Sequence, residues 1–101
     1  MFTAVQRIVE KYQALGIMKA GEILLEPSVA LSLMQELQQE NNRIYGVDFW
    51  YYRDGQLVED FNSLDLSDVK DPQAAARITQ VFLSEYLPKN IVLVSLVFDD
   101  D

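Results

Sequence analysis

At Arg43 the spacing of apolar residues in this chain changes. Before it they recur at the helical period. From Ile44 to Tyr52 they alternate, the chain reaches Asp54-Gly55, and a second extended run returns over Gln56 to Phe61. Aspartate and glycine both tolerate positive φ, which a two-residue hairpin turn requires. The stretch GVDFWYYRDGQLVED, Gly46 to Asp60, is therefore read as the body of a β-hairpin, rich in the aromatic and β-branched residues that suit strands.

The flanking segments are helical or connecting. Phe2, Val5, Ile8, Val9, Tyr12 and Leu15 make one apolar stripe on a helix from about Phe2 to Leu15, stopped by Gly16. Ile17 to Glu26 reads as a connection. Pro27 and Ser28 open a second helix that buries Ala30, Leu33, Met34 and Leu37, and QQENN ends it. After the hairpin, Asn62 to Asp71 reads as a polar loop pinned by Leu64, Leu66 and Val69. Asp71-Pro72 is a helix start, a capping carboxylate before a proline at the first helical position. The stripe of that third helix is Ala75, Ile78, Val81, Phe82 and Tyr86, and Pro88 ends it. Ile91 to Phe98 is a third strand, apolar on both faces, and 99–101 is an acidic tail.

The expected fold is thus a single α+β domain over 1–101, in the order α-α-β-β-α-β. A strand pairing antiparallel to the first strand of the hairpin gives a three-stranded sheet of order 2-1-3 with helices packed on it, reached by a right-handed crossover. The aromatic strand is then central. The last strand is an edge, and a hydrophobic edge must be covered by another element or pair across a homodimer.

Catalytic chemistry has few carriers here. The chain has no histidine and no cysteine, which removes the commonest general base, the thiolate nucleophile, the usual zinc ligands and any disulfide. No glycine-rich phosphate loop and no EF-hand loop occurs. The remaining candidates are carboxylates in polar turns, where solvation keeps their ordinary acidity. The expectation is no enzyme, no cofactor and no metal; a carboxylate hydrolase would need a deep pocket with two acids of separated pKa. The N-terminus lacks a signal-peptide pattern, and the longest apolar run is too short for a bilayer, so a cytoplasmic protein is expected.

Charge and aromatics point to a partner instead. Net charge is −8, and Gly46 to Asp101 holds eleven acids against four bases. Such a surface repels nucleic acid and anionic membranes and draws a basic protein. Along the first strand, Tyr45, Val47, Phe49 and Tyr51 alternate onto one face, the better core face. Ile44, Gly46, Asp48, Trp50 and Tyr52 take the other. If that second face is open, Trp50 and Tyr52 beside acids form a binding surface, because such side chains bury much area and keep a polar handle. The candidate partner-binding residues are Asp48, Trp50, Tyr52, Asp54, Glu59, Asp60, Asp65 and Asp68. If helices cover both faces, Trp50 is core, its N–H bonds internally, and Asp48 needs a partner such as Arg43 or Arg53.

A helix ending in LMQELQQENNRI followed by YGVDFWYYRDGQLVEDFNS resembles the small immunity proteins of bacterial polymorphic toxin systems, closest to immunity protein family forty. Gly46, Asp48, Trp50, Asp54 and Gly55 stand in the family's Gly-x-Asp strand and its turn. Phe61 takes the place of the following aromatic, and Asn62, Ser63 and Leu64 replace its Asp-Asn-Trp. The similarity spans residues 31–64. It implies an inhibitor without catalysis that binds a cognate toxin, often a basic nuclease. The alternative expectation is a structural or regulatory subunit that forms a homo-oligomer through Ile91 to Phe98.

Overall fold

The computed structural model describes residues 3–99. Phe2, from the first helical stripe, and Asp100 and Asp101, from the acidic tail, lie outside them. The elements are α1 (Ala4–Gln13), β1 (Ile17–Lys19), β2 (Glu22–Leu24), α2 (Pro27–Gln39), β3 (Ile44–Arg53), β4 (Gln56–Asp65), α3 (Pro72–Val81), a π-helical turn (Phe82–Tyr86) and β5 (Leu93–Phe98). The fold is α+β.

α1 and α3 begin where a side chain satisfies a first amide, while α2 starts at Pro27 without a side-chain cap. Thr3 and Gln6 form a capping box, Gln6 N donating to Thr3 Oγ1 at 3.1 Å and Thr3 N donating to Gln6 Oε1 at 2.9 Å. Asp71 caps α3 by accepting from Gln73 N at 3.2 Å, with Pro72 behind it. At the far end of α2, Asn41 adopts φ 55° and Asn42 N reaches Leu37 O at 2.9 Å. This left-handed cap closes the helix and turns the chain into β3. Glu36 ties α1 to α2: Lys11 Nζ lies 2.8 Å from it, and the Tyr12 hydroxyl donates to it. Burial, then that hydrogen bond, pushes the Tyr12 hydroxyl up to about 12.

The main sheet has the order β4-β3-β5, antiparallel throughout, so the aromatic strand is central. α2 and α3 pack on one face, where Val47, Phe49, Val94 and Leu96 meet Leu33, Met34, Leu37 and Ala75. Phe49 and Phe82 stack with ring centroids 5.4 Å apart.

Four expectations need correction. Ile17 to Glu26 is not a bare connection but a second, two-stranded sheet, β1-β2, turning at Ala20 and Gly21 with φ of 54° and 79°. β4 runs on to Asp65, past the expected loop start at Asn62. The buried face of α3 is rotated: Ala75, Ala76, Thr79 and Leu83 are inside, while Ile78, Val81 and Tyr86 are exposed, as is Leu15 beyond α1. Small residues let α3 approach β3 and α2, and the Thr79 hydroxyl satisfies itself on Ala75 O at 2.8 Å. Finally, a register break between Ile44 and Gly46 puts Ile44 into the core and leaves Tyr45 half-exposed, its hydroxyl on Asp99 and the Arg43 guanidinium over its ring.

The outer edge of β5 is met by the chain itself. Leu25, just after β2, exchanges backbone hydrogen bonds with Val94, each 2.8 Å. No helix among the described residues is long and apolar enough to cross a membrane.

Gly46 sets how closely β4 approaches β3. A Cβ there would lie 2.6 Å from Leu64 O, a backbone atom that cannot step aside without moving the strand. Gly46→Ala is expected to destabilise the protein by about 1–3 kcal/mol, read as a lower urea midpoint with an unchanged slope.

Candidate functional site

The second face of the sheet carries the acids, and the β1-β2 hairpin lies over it. Register places Asp48 opposite Ser95 of β5 and Ser63 of β4, and Trp50 opposite Leu93 and Glu59. Lys19 and Glu22 reach down from the hairpin. Lys19 Nζ donates to Leu57 O at 3.0 Å and sits 6.0 Å from the Trp50 ring centroid. Trp50 is only 4% exposed. Its Nε1 donates to Ser95 Oγ at 3.3 Å, and that hydroxyl donates to Glu22 Oε1 at 2.9 Å. Trp50 is therefore interior with an internally bonded N–H, under a hairpin rather than a helix, and it is not an exposed contact.

Asp48 is half-buried, and its neighbours are acids. Carboxylate oxygens of Glu22, Asp48 and Glu59 lie within 4.8 Å of one another. Burial, and next a hydrogen bond with Asp48, pushes Glu22 up to about 7. A proton on Glu22 relieves the repulsion among the three carboxylates. Neither arginine expected as a partner, Arg43 or Arg53, pairs with Asp48. Arg43 donates from Nη2 to Ser67 O, on the far side of β4's end, and its Nε is buried without a partner. The cluster can hold a proton at neutral pH. Three carboxylates at this spacing also have the reach of a divalent cation, but Glu22 is already engaged by Ser95 and Asp48.

The other acids named from the sequence are at the surface. Asp54 occupies the hairpin turn at φ 52° beside Gly55. Tyr52 is exposed on the strand leading to it. Asp60 Oδ1 accepts from Asn62 N at 2.8 Å. Asp65 Oδ1 accepts from Ser67 N at 2.9 Å, and hydrogen bonds from the Ser67 side chain and backbone hold its carboxyl below the usual range. Asp68 is exposed in the turn that follows. The structure brings Asp48 and Glu59 together, sets Trp50 beneath them, and strings the rest along β4 and its two ends.

One residue was missed as a site residue. Asp48 pairs with Ser63 and Trp50 with Glu59, so Phe49 alone stands opposite Asp60, Phe61 and Asn62. The surplus forms a bulge, closed by the Asp60–Asn62 hydrogen bond. Phe61 is carried wholly into solvent, with a relative exposure of 107%. The signal was legible: a phenylalanine between two turn-forming residues breaks the alternation of the strand.

In comparisons with family models, curated proteins and solved structures, nothing matches this chain.

The acid cluster has a direct consequence for stability. Glu22 binds its proton more tightly folded (about 7) than unfolded (about 4.5). Its contribution is therefore fully present below pH 4.5 and is lost as the pH rises through 7. Glu22→Gln keeps the hydrogen bonds without the charge. Between pH 5 and 8 the wild type is expected to lose about 1–2 kcal/mol relative to this variant, a figure discounted for solvent screening. Thermal melts of both proteins across that range read the difference.

Proposed function

We propose that this is a non-enzymatic binding protein of the immunity type, which neutralises a basic protein toxin through the acidic, bulged edge of β4. The observation that carries the reading is Phe61. It stands fully in solvent midway along an edge strand whose residues, Gln56 to Asp65, include Glu59, Asp60 and Asp65 and no base. Acids and a bulge also protect an edge from unwanted strand pairing. An exposed phenyl ring does not serve that purpose; it is the kind of anchor a partner's pocket desolvates.

On this reading the roles divide. Phe61 and Tyr52 supply apolar contact area. Asp54, Asp60, Asp65, Asp68 and the exposed side of Glu59 attract the partner and orient it. Asp48 and Trp50 hold β3 in place from beneath and do not touch the partner. The resemblance of residues 31–64 to immunity proteins supports an inhibitor, and the charge supports a basic target. The lack of histidine and cysteine fits inhibition by occupancy rather than by chemistry.

The test measures binding to the products of the adjacent genes by calorimetry at low and high salt, a basic domain among them being the expected partner. The wild type is expected to bind more weakly as salt rises. Phe61→Ala should cost about 2 kcal/mol, roughly thirtyfold in affinity. Asp60→Lys should slow association. Unchanged binding by both variants would remove the β4 surface, and a neighbouring product that does not bind would remove the immunity reading.

A further inference from the structure

The β1-β2 hairpin is fixed at its base and loosely held at its tip. Register pairs Lys19 with Glu22 and Ile17 with Leu24, so these four side chains share the face that Lys19 turns to Trp50, and Met18 and Ile23 share the other. At the base, Leu25 and Val94 exchange both backbone hydrogen bonds. Gly16 packs so closely there that a Cβ on it would stand 2.6 Å from Leu24 O. Toward the tip, β1 is exposed throughout. Behind Met18 and Ile23 lies a cavity of about 240 Å³, walled by Val9 and Gln13 of α1 and by the far end of β5. Two side-chain tethers join the tip to the sheet, Lys19 Nζ on Leu57 O and the Glu22 carboxyl on Ser95 Oγ. The second tether sets Glu22 against Asp48 of β3 and Glu59 of β4, with carboxylate oxygens within 4.8 Å of one another.

We propose that the hairpin tip, Lys19 to Glu22, is a pH-gated lid over Trp50, pivoting on Gly16 and Leu25, shut in mild acid and lifting more readily in mild base. The groups that face Glu22 are the acids Asp48 and Glu59 and the uncharged Ser95. α1 brings only the uncharged Val9 and Gln13 to the cavity wall. Lys19, the base on the lid itself, is engaged by Leu57 O and the Trp50 ring, and among the described residues it forms no ion pair with the three acids. With the lid shut, burial and then Asp48 raise Glu22 to about 7, whereas the lifted tip returns it toward the ordinary 4.5. The shut form therefore binds the proton more tightly. Its advantage is fully present below pH 4.5 and is lost as the pH rises through 7. Leu24 and Trp50 are buried outside the main core, so the tip lifts without opening the packing between helices and sheet. Lifting uncovers Trp50 beside Asp48 and Glu59, an aromatic surface among acids that suits a basic partner. This device does not depend on the β4 reading above.

Hydrogen exchange of the intact protein, corrected for the intrinsic rate at each pH, reads the lid. The Trp50 indole N–H is the direct probe, since it bonds to Ser95 under Glu22. The amides that pair β1 with β2 are the second, because so short a hairpin does not keep its own hydrogen bonds once it leaves the sheet. The backbone amides of β3 report global unfolding in the same sample. Between pH 5 and 8, protection of the indole and hairpin protons is expected to fall roughly tenfold and to stay below that of β3 throughout. The fall should level off above about pH 7. Glu22→Gln should remove this pH dependence, and Asp48→Asn should weaken it. Indole and β3 protection that are equal at every pH would mean that Trp50 is uncovered only when the whole domain unfolds. A fall in Glu22→Gln as large as in the wild type would assign the effect to other groups. Either result would overturn the proposal.

Discussion

The second face of the sheet depends on Trp50. The helices cover only one side of β4-β3-β5, and the other is roofed by two strands of three residues each, too few to be stable alone. They stay because Trp50 gives them an apolar surface to close over, and because its N–H leads through Ser95 to Glu22 of the hairpin. Lys19 on Leu57 O and the Leu25–Val94 bridge fix the two ends. Truncating a buried tryptophan costs on the order of 3–5 kcal/mol, a large share of what a domain of this size has to spare. With Trp50 committed to the interior, the partner surface we propose is drawn from what the sheet displays elsewhere, the bulge on β4.

The same closure creates the acid cluster. Asp48 lies on the face that carries Trp50, and the hairpin lowers Glu22 onto it while β4 brings Glu59 alongside. Among the described residues no ion pair relieves them. The protein tolerates this because Glu22 can hold a proton near neutral pH. The hairpin is consequently held more firmly in acid than in base.

Much of the architecture was legible in the residues. Asp54-Gly55 located the hairpin, Asp71-Pro72 the third helix, and the strand order followed from placing the last strand beside the first. What escaped has physical causes. Ala20 is an unusual occupant of a left-handed turn position, so Ile17 to Glu26 lacked the customary turn signal although IMK and EIL flank a glycine. The face of α3 was misread because alanines and a threonine pack against β3 where larger residues were sought. Two register breaks in β3 are tertiary accommodations, one required by the core at Ile44 and one by the surplus in β4. The acids were visible as acids, but their grouping was not, since Glu22 lies far from Asp48 in sequence and meets it only after the hairpin folds over.

The account turns on the burial of Trp50, and quenching of its fluorescence by acrylamide measures that directly. The structure predicts weak quenching at neutral pH, close to that of an interior tryptophan, with an emission maximum to the blue of free tryptophan. Quenching as efficient as that of the free amino acid would contradict it. The hairpin would then not cover the sheet, and Asp48 and Trp50 would return to the surface available to a partner.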